Sequence, residues 1–291
     1  MHEKAYKAIL SAQNGMNVYR GCTHGCIYCD SRSACYQMQH AFEDIEVKCN
    51  APELLRDALR RKRRKCMIGT GSMCDPYLQC EATLEVTRRC LEIIAAEGFG
   101  ATLLTKSAMI LRDLDLLEQI NRQSKCVVQM TLTTFDEATC RLVEPNVSTT
   151  RERLEVLRTL QAHGIPTVVW LSPILPWIND TPENIISLLH ACRDAGVRGI
   201  IHFGMGVTLR EGNRAYFYRQ LDLHFPGLKE RYIRRFGNAY VCNSEQAPML
   251  EQLFAETCAA CGLESDSQKL FAYLHAFPDR EAEGQLSLFS M

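Results

Sequence analysis

Three cysteines close together dominate the chemistry this chain can carry. Cys22, Cys26 and Cys29 stand in the run GCTHGCIYC, a C-x3-C-x2-C spacing on a glycine-flanked stretch. Thiolates this near to one another can converge on one metal centre, and they are the usual ligands of iron-sulfur clusters. A ferredoxin-type run or a four-thiolate zinc site needs a fourth ligand nearby. Here Cys35 stands at a poor spacing and His24 is the other choice. Two occupants follow: a structural zinc completed by His24 or Cys35, or a cluster in which three cysteines leave one iron open to an exchangeable small molecule. That open position is what a catalytic cluster requires.

Three thiols need a scaffold to hold them, and the hydrophobic pattern supplies one. Short β-branched runs at Gly15 to Tyr19, Cys66 to Thr70, Ala101 to Thr105, Cys126 to Leu132, Thr167 to Leu171 and Gly199 to His202 alternate with amphipathic segments. The helices fall at about 52–64, 81–96, 109–121, 149–163 and 181–195, the pattern of βα units around a parallel sheet. Thr181, Pro182 and Glu183 read as an N-cap with proline at the first helical position, and Gly164 and Gly196 read as helix ends. Six strands with right-handed crossovers make an open or closed barrel. The expected fold is therefore α/β, six βα units in an open or closed TIM-like barrel over residues 1–210, with the cysteine loop directly after the first strand. Helical segments at about 213–223, 227–236 and 245–261 make a helical C-terminal extension over 211–277, with no further strand expected. A polar, flexible tail is expected over 278–291.

Composition narrows the classes. Lys plus Arg number 33 against 34 Asp plus Glu, and 46% of residues are hydrophobic, enough to bury a sizeable core. The longest apolar stretch, Val168 to Ile178, is about eleven residues and is interrupted by prolines, far short of the roughly 18 a membrane helix needs. No signal peptide is read at the N-terminus, so the expected localisation is cytoplasmic. Fifteen cysteines, an odd number, in a chain without an export signal point to metal or redox chemistry and buried thiols rather than a disulfide scaffold.

The cysteine run resembles the signature of the radical S-adenosylmethionine superfamily, C-x3-C-x-aromatic-C after the first strand of a (βα)6 partial barrel, with Tyr28 in the aromatic slot. The resemblance implies that Cys22, Cys26 and Cys29 hold a [4Fe-4S] cluster whose fourth iron is chelated by S-adenosyl-L-methionine. It also implies reductive cleavage to a 5′-deoxyadenosyl radical that abstracts hydrogen, and a reducing electron donor such as flavodoxin or ferredoxin. In βα barrels functional groups collect at the C-terminal ends of the strands. Gly69, Thr70 and Gly71 in GTGSMCDPY then become candidates for the methionine end of the cofactor, and Asp75 before Pro76 shapes the turn. Lys106 in TKS becomes a candidate for its carboxylate or a substrate phosphate, and Thr133 and Ser172 for ribose and adenine contacts.

Over roughly residues 15–205 the runs MNVYRGCTHGCIYCDSRS, CDPY, TKS and VVWLSPILPWINDTPENI resemble the spore photoproduct lyase-like, or DNA repair photolyase-like, group. Two positions depart from it. Where that group carries a hydrogen-donor cysteine three residues before the matching aspartate, this chain has Ser72, and where it carries a tyrosine after the third cluster cysteine, this chain has Asp30. Cys74, two positions along from Ser72, is the candidate substitute donor. The group implies a nucleic-acid substrate, while modification of a protein or small molecule, or a non-catalytic metal-binding module, are the competing functions.

Three further features bear on partners. Arg60 to Lys65 is an unbroken basic run that suits either nucleic-acid phosphates or the C-terminal end of a helix, where the macrodipole favours cations; the second reading is preferred. Gln285, Leu286, Leu288 and Phe289 in the tail QLSLF resemble the peptide by which bacterial DNA-replication and repair proteins bind the sliding clamp. Cys258 and Cys261, with Cys242 upstream, have a spacing that a second cluster could use, but their periodic helical setting favours a core-facing pair.

Overall fold

The computed structural model describes residues 1–278, so the tail residues Gln285, Leu286, Leu288 and Phe289 lie outside the described part. In chain order the first elements are β1 (His2–Lys4), β2 (Gly15–Met16), β3 (Tyr19–Arg20), β4 (Glu46–Lys48), α1 (Ala51–Arg61), β5 (Met67–Thr70), α2 (Glu81–Leu84), α3 (Val86–Ala96) and β6 (Gly100–Thr105). Then come α4 (Leu114–Gln123), β7 (Cys126–Thr131), α5 (Glu137–Val143), α6 (Thr150–Ala162), β8 (Thr167–Trp170), α7 (Pro182–Asp194) and β9 (Gly199–Ile201). The last are β10 (Gly206–Thr208), α8 (Asn213–His224), α9 (Leu228–Phe236), β11 (Val241–Asn243), α10 (Ala247–Cys261) and α11 (Ser267–His275).

The six expected strands form one parallel sheet in the order β2-β5-β6-β7-β8-β9. Sequential order with parallel pairing is the partial (βα)6 barrel. Cys126, Val128, Met130, Val169 and Ile200 alternate onto the outer face and bury against the helices with Leu91, Leu117 and Leu157. Val127, Val168 and Ile201 take the inner face, where Leu270 and Leu274 of α11 pack on them. Lys125, at the start of β7, fastens α11 by donating to Tyr273 O and Ala276 O. Above this plug Trp170 Nε1 donates to Gln129 Oε1 (2.8 Å), and Gln129 Nε2 to Thr102 Oγ1 (2.8 Å), so the inner face turns polar towards the strand C-termini.

Capping follows the sequence signals. Thr181 Oγ1 accepts from the Asn184 N–H with Pro182 at the first turn, and Thr149 with Glu152 makes a reciprocal capping box at α6.

Several boundaries differ from expectation. The first strand breaks after Met16: β2 joins the large sheet, while β3 joins β1 and β4 in a small separate sheet. The helix expected over 81–96 divides at Glu85, whose left-handed backbone (φ 51°) separates α2 from α3. The chain after His202, where no further strand is expected, contains the antiparallel pair β10–β11, which joins the end of the expected barrel to the extension with Val207 opposite Cys242. Among the described residues no helix is long and apolar enough to cross a membrane.

Candidate active site

The cysteine loop leaves β3 at Gly21, whose positive φ (88°) lets the chain pass so close to Phe42 O that a Cβ would lie 2.5 Å from it. There the Cys22 N–H donates to Phe42 O (3.0 Å). The middle of the loop is held by the connection after α5: the Ile27 N–H donates to Val143 O (3.0 Å) and the Asn146 N–H to His24 O (3.1 Å). Asn146 Nδ2 reaches Thr23 O (2.9 Å), and Gln79 Nε2 reaches Asn146 O (2.8 Å). A loop whose backbone groups are taken up by two distant segments keeps its three side chains free for a ligand.

Two buried charge networks brace it. Tyr28 donates its hydroxyl to Glu144, which also receives Arg153 Nη2 (2.6 Å), and both members of the Glu144–Arg153 pair are fully buried. Arg153 Nη1 donates on to Thr131 O (2.7 Å) at the end of β7. Burial would raise Glu144, yet Arg153, Lys106 and the Tyr28 hydroxyl hold its carboxyl below the ordinary value. The second network centres on Asp75. It accepts the Tyr77 N–H (2.9 Å), Thr105 Oγ1 (2.7 Å) and the Lys106 N–H (2.7 Å), tying the ends of β5 and β6 together. His24 Nε2 lies 3.1 Å from Asp75 Oδ2, and neither buried ring nitrogen of His24 has a well-formed hydrogen-bond partner among the described residues. Burial would raise Asp75, but His24 and these hydrogen bonds keep it lowered.

The thiols themselves are enclosed. Cys26 is 6% exposed, with Cys22 and Cys29 half-buried. Burial pushes Cys22 up to about 12 and Cys26 well above the ordinary thiol value, Lys106 partly opposing the effect at Cys26. Such thiols ionise when a metal takes the charge. Lys106 is half-buried and makes no ion pair among the described residues. Burial works against its charge, but Cys26, Glu144 and Asp75 outweigh this and raise it. Three enclosed thiols beside an unpaired cation fit an anionic iron-sulfur cluster and a carboxylate-bearing ligand. They fit a single zinc less well. Cys22, Cys26 and Cys29 with His24 or Cys35 do not bring their ligand atoms within 4.8 Å of one another, as a single ion needs; among the described residues only His2, His40 and Asp44 do. His24 faces Asp75, and the exposed Cys35 lies 3.6 Å from Arg210 Nη1.

The other predicted positions divide. Gly69 registers between Gly15 and Thr102 in the sheet, and Thr70 is buried beside it. Gly71 is required for packing, since a Cβ there would lie 2.0 Å from Leu104 O. Thr133 is fully buried with its hydroxyl unpartnered among the described residues, while its carbonyl accepts from Asn179 and Asn184. Ser172 is half-buried after β8. Cys74 is brought to the cysteine loop: its buried thiol donates to Gly21 O (2.7 Å), and burial, then Cys22 and Asp75, raise it well above the ordinary value.

Asp30 meets the Tyr36 hydroxyl (2.9 Å) and Arg210 Nε (3.3 Å), joining the loop exit to the extension. Sequence reasoning missed Glu144 and Arg153, because neither stands at a strand end or in a spaced motif.

Two readings do not survive as site features. The run Arg60 to Lys65 ends α1 and leads into β5, at the opposite end of the sheet from the cysteines; Arg60 pairs with Glu97 (2.8 Å), Lys62 with Asn14 and Lys65 with Glu97 O. Cys242 and Cys258 belong to two different apolar cores, so Cys242, Cys258 and Cys261 do not gather at one centre. A surface cavity of about 680 Å³ lined by Phe135, Arg151, Arg158 and His190 lies outside the barrel between α6 and α7, away from the thiols.

Known proteins are similar to this chain in sequence or in fold. An uncharacterized protein of Mycobacterium tuberculosis is 29% identical over 270 residues, covering 89% of this chain and 77% of that protein. Another, from Methanocaldococcus jannaschii, is 31% identical over 174 residues, covering 59% of this chain and 64% of that protein. The structure of spore photoproduct lyase complexed with dinucleoside spore photoproduct superposes with a TM-score of 0.67 at 14% identity, over 90% of this chain and 80% of that one, a likeness of fold. The family model described as the Radical SAM superfamily matches residues 16–189, the span from the first strand of the large sheet through the cysteine loop into α7. With that match added to the thiols, the strand order and the enclosed site, the chain is a radical S-adenosylmethionine enzyme and belongs to the Radical SAM superfamily, whose cofactors are a [4Fe-4S] cluster and S-adenosyl-L-methionine.

Proposed function

We propose that this enzyme abstracts hydrogen from a nucleic-acid substrate, using Cys22, Cys26 and Cys29 as cluster ligands and Lys106 as the cation that meets the cofactor carboxylate. The observation that carries the cofactor assignment is the three enclosed thiols beside an unpaired, half-buried lysine. When bound, the cluster and S-adenosylmethionine together supply a one-electron cleavage that yields methionine and a 5′-deoxyadenosyl radical. The chain's own residues do the positioning. Glu144 and Arg153 fix Tyr28, Asp75 fixes the backbone of Lys106, and α11 closes the lower barrel against water. Gly69, Thr70, Thr133 and Ser172 would line the cofactor's path along the strand ends, and Cys74, turned to the loop at Gly21 O, is the nearest assigned candidate for hydrogen return.

The nucleic-acid reading is supported by charge at the same end of the barrel. The helix α9 carries Lys229, Arg231, Arg234 and Arg235, of which Lys229 pairs with Asp222 (2.6 Å) and Arg231 and Arg235 share the single carboxylate of Glu245, and Tyr232 seats it on the loop after β8 through Pro176 O (3.2 Å). The exposed Arg231 lies over Trp177 (4.2 Å), a basic and aromatic pairing suited to phosphates and bases. The tail residues 285–289 would recruit a sliding clamp, flavodoxin or ferredoxin would deliver the electron, and the cytoplasm would house the reaction.

Anaerobic reconstitution with iron and sulfide, reduction, and scoring of 5′-deoxyadenosine test the cofactor assignment. Product is expected from wild type and none from Cys26→Ala. Equal iron binding in both proteins would defeat it. For the substrate, Arg234→Ala with Arg235→Ala is expected to lower the salt dependence of oligonucleotide binding, whereas Arg63→Ala with Arg64→Ala leaves it unchanged.

A further inference from the structure

We propose that His2, His40 and Asp44 form a second metal site, separate from the cysteine loop, that binds one divalent first-row transition ion such as zinc. The three residues come from two segments: β1 supplies His2, and the connection between the cysteine loop and β4 supplies His40 and Asp44. The parallel pairing of β1 with β4, His2 opposite Glu46, brings those segments together.

One ligand atom from each residue lies within 4.8 Å of the other two. His2 Nδ1 is 3.0 Å and His40 Nδ1 4.0 Å from Asp44 Oδ2, and the two imidazoles meet edge to face at 4.8 Å. Two imidazoles and a carboxylate on one side of an ion, with remaining positions open, is a donor set for zinc or ferrous iron rather than for calcium or magnesium.

The surroundings match what such ligands use. Imidazoles that bind a metal through one nitrogen direct the other at a carboxylate, which fixes the ring. Here Glu46 Oε2 faces the far nitrogen of both rings, at 3.6 Å from His2 Nε2 and 3.9 Å from His40 Nε2. Glu46 is 2% exposed and is itself held by Lys4 Nζ (3.1 Å) and the Tyr6 hydroxyl. His40 Nε2 is buried without a hydrogen-bond partner among the described residues, and closing its gap to Glu46 would satisfy it. His40 Nδ1 rests against Ala41 O (3.0 Å), a local contact that metal coordination replaces. Asp44 is anchored through its other oxygen by the Met1 amine (2.7 Å). His2 at 39% and Asp44 at 37% exposure leave a route for the ion and room for water.

The ion would tie the segment around Phe42 to β1. Since Phe42 O receives the Cys22 N–H, that segment is also the one holding the first cysteine in place.

The test uses the full chain with its cluster reconstituted, titrated with zinc by calorimetry and examined by zinc-edge X-ray absorption. One zinc per chain with a nitrogen and oxygen shell showing imidazole is expected. His2→Gln and His40→Gln should each weaken binding at least tenfold, and Asp44→Asn should do the same without altering either ring. Sulfur in the zinc shell, or equal zinc binding by wild type and all three variants, would overturn the proposal. A His40→Gln chain that fails to fold is replaced by Asp44→Asn, which reads the same loss.

Discussion

Two stretches of this chain pair a C-x2-C with a third cysteine, and the fold treats them in opposite ways. Cys26 and Cys29, with Cys22, sit on a loop that departs from regular structure, its backbone bound by Phe42, Val143 and Asn146. Cys258 and Cys261 sit one turn apart on α10, where Cys258 is fully buried in the main core, while Cys242 is buried in another core with Phe217 and Tyr232. In a helix each backbone group is taken up by its own turn, and residues three apart share a face, which here sets Cys258 in the core with Cys261 half-buried against it. In the loop the backbone is satisfied from outside and the side chains can converge. Cysteine spacing therefore acquires chemical meaning only through the backbone that carries it.

The sharpest way to break this comparison is to delete one thiol from each trio and measure iron. Cys26→Ala is expected to lose nearly all of the reconstituted iron and its charge-transfer absorbance, and Cys258→Ala to keep the wild-type amount. Next in size is the brace behind the loop. Glu144→Gln leaves Arg153 buried and unpaired, so urea unfolding should show a loss of about 3–5 kcal/mol. Among the described residues no buried ion pair of this kind stands behind Cys258.

Alkaline pH sharpens the contrast from the other side. Burial, with Cys261 nearby, pushes the Cys258 thiol up to about 12, so folding keeps a proton that the unfolded chain releases near its ordinary value of about 8.5. Stability from this group is complete below that value and declines as pH climbs towards 12. Unfolding midpoints between pH 8 and 10 should fall in wild type and fall less in Cys258→Ala. Smallest of all, Cys261→Ser at a half-buried helix end should change stability by less than about 0.5 kcal/mol and iron content not at all.

Much of this was legible in the residues because periodicity and local spacing carry it. All six strands of the large sheet fall where β-branched runs predict them, and Cys22, Cys26 and Cys29 arrive on the loop beside them. Lys106 and Asp75, read singly at strand ends, do lie at the mouth. Their connection was not legible, since no local pattern links His24 to Asp75 or Tyr28 to Glu144. The three-residue strands β1, β4, β10 and β11 are too short to show alternation, and their partners are remote: His2 with Glu46, Gly206 with Asn243. The helix α11 was missed although it has an Asp266 cap, because its apolar face answers to the inside of the barrel rather than to a neighbouring βα unit.

The hold on the cysteine loop also sets an order of events during synthesis. Residues 22–29 are made more than a hundred residues before their backbone partners at Val143 and Asn146, and the Ala34 N–H just beyond them waits for Glu211 O. Contacts this distant in sequence form only after the intervening chain has been made and collapsed. Until then the nascent protein presents three thiols on a loop held only at its start, by Phe42 O, and open to oxidation and to the wrong ion. The expected consequence is late maturation: iron should find a formed receptor only once the chain through Glu211 has been made.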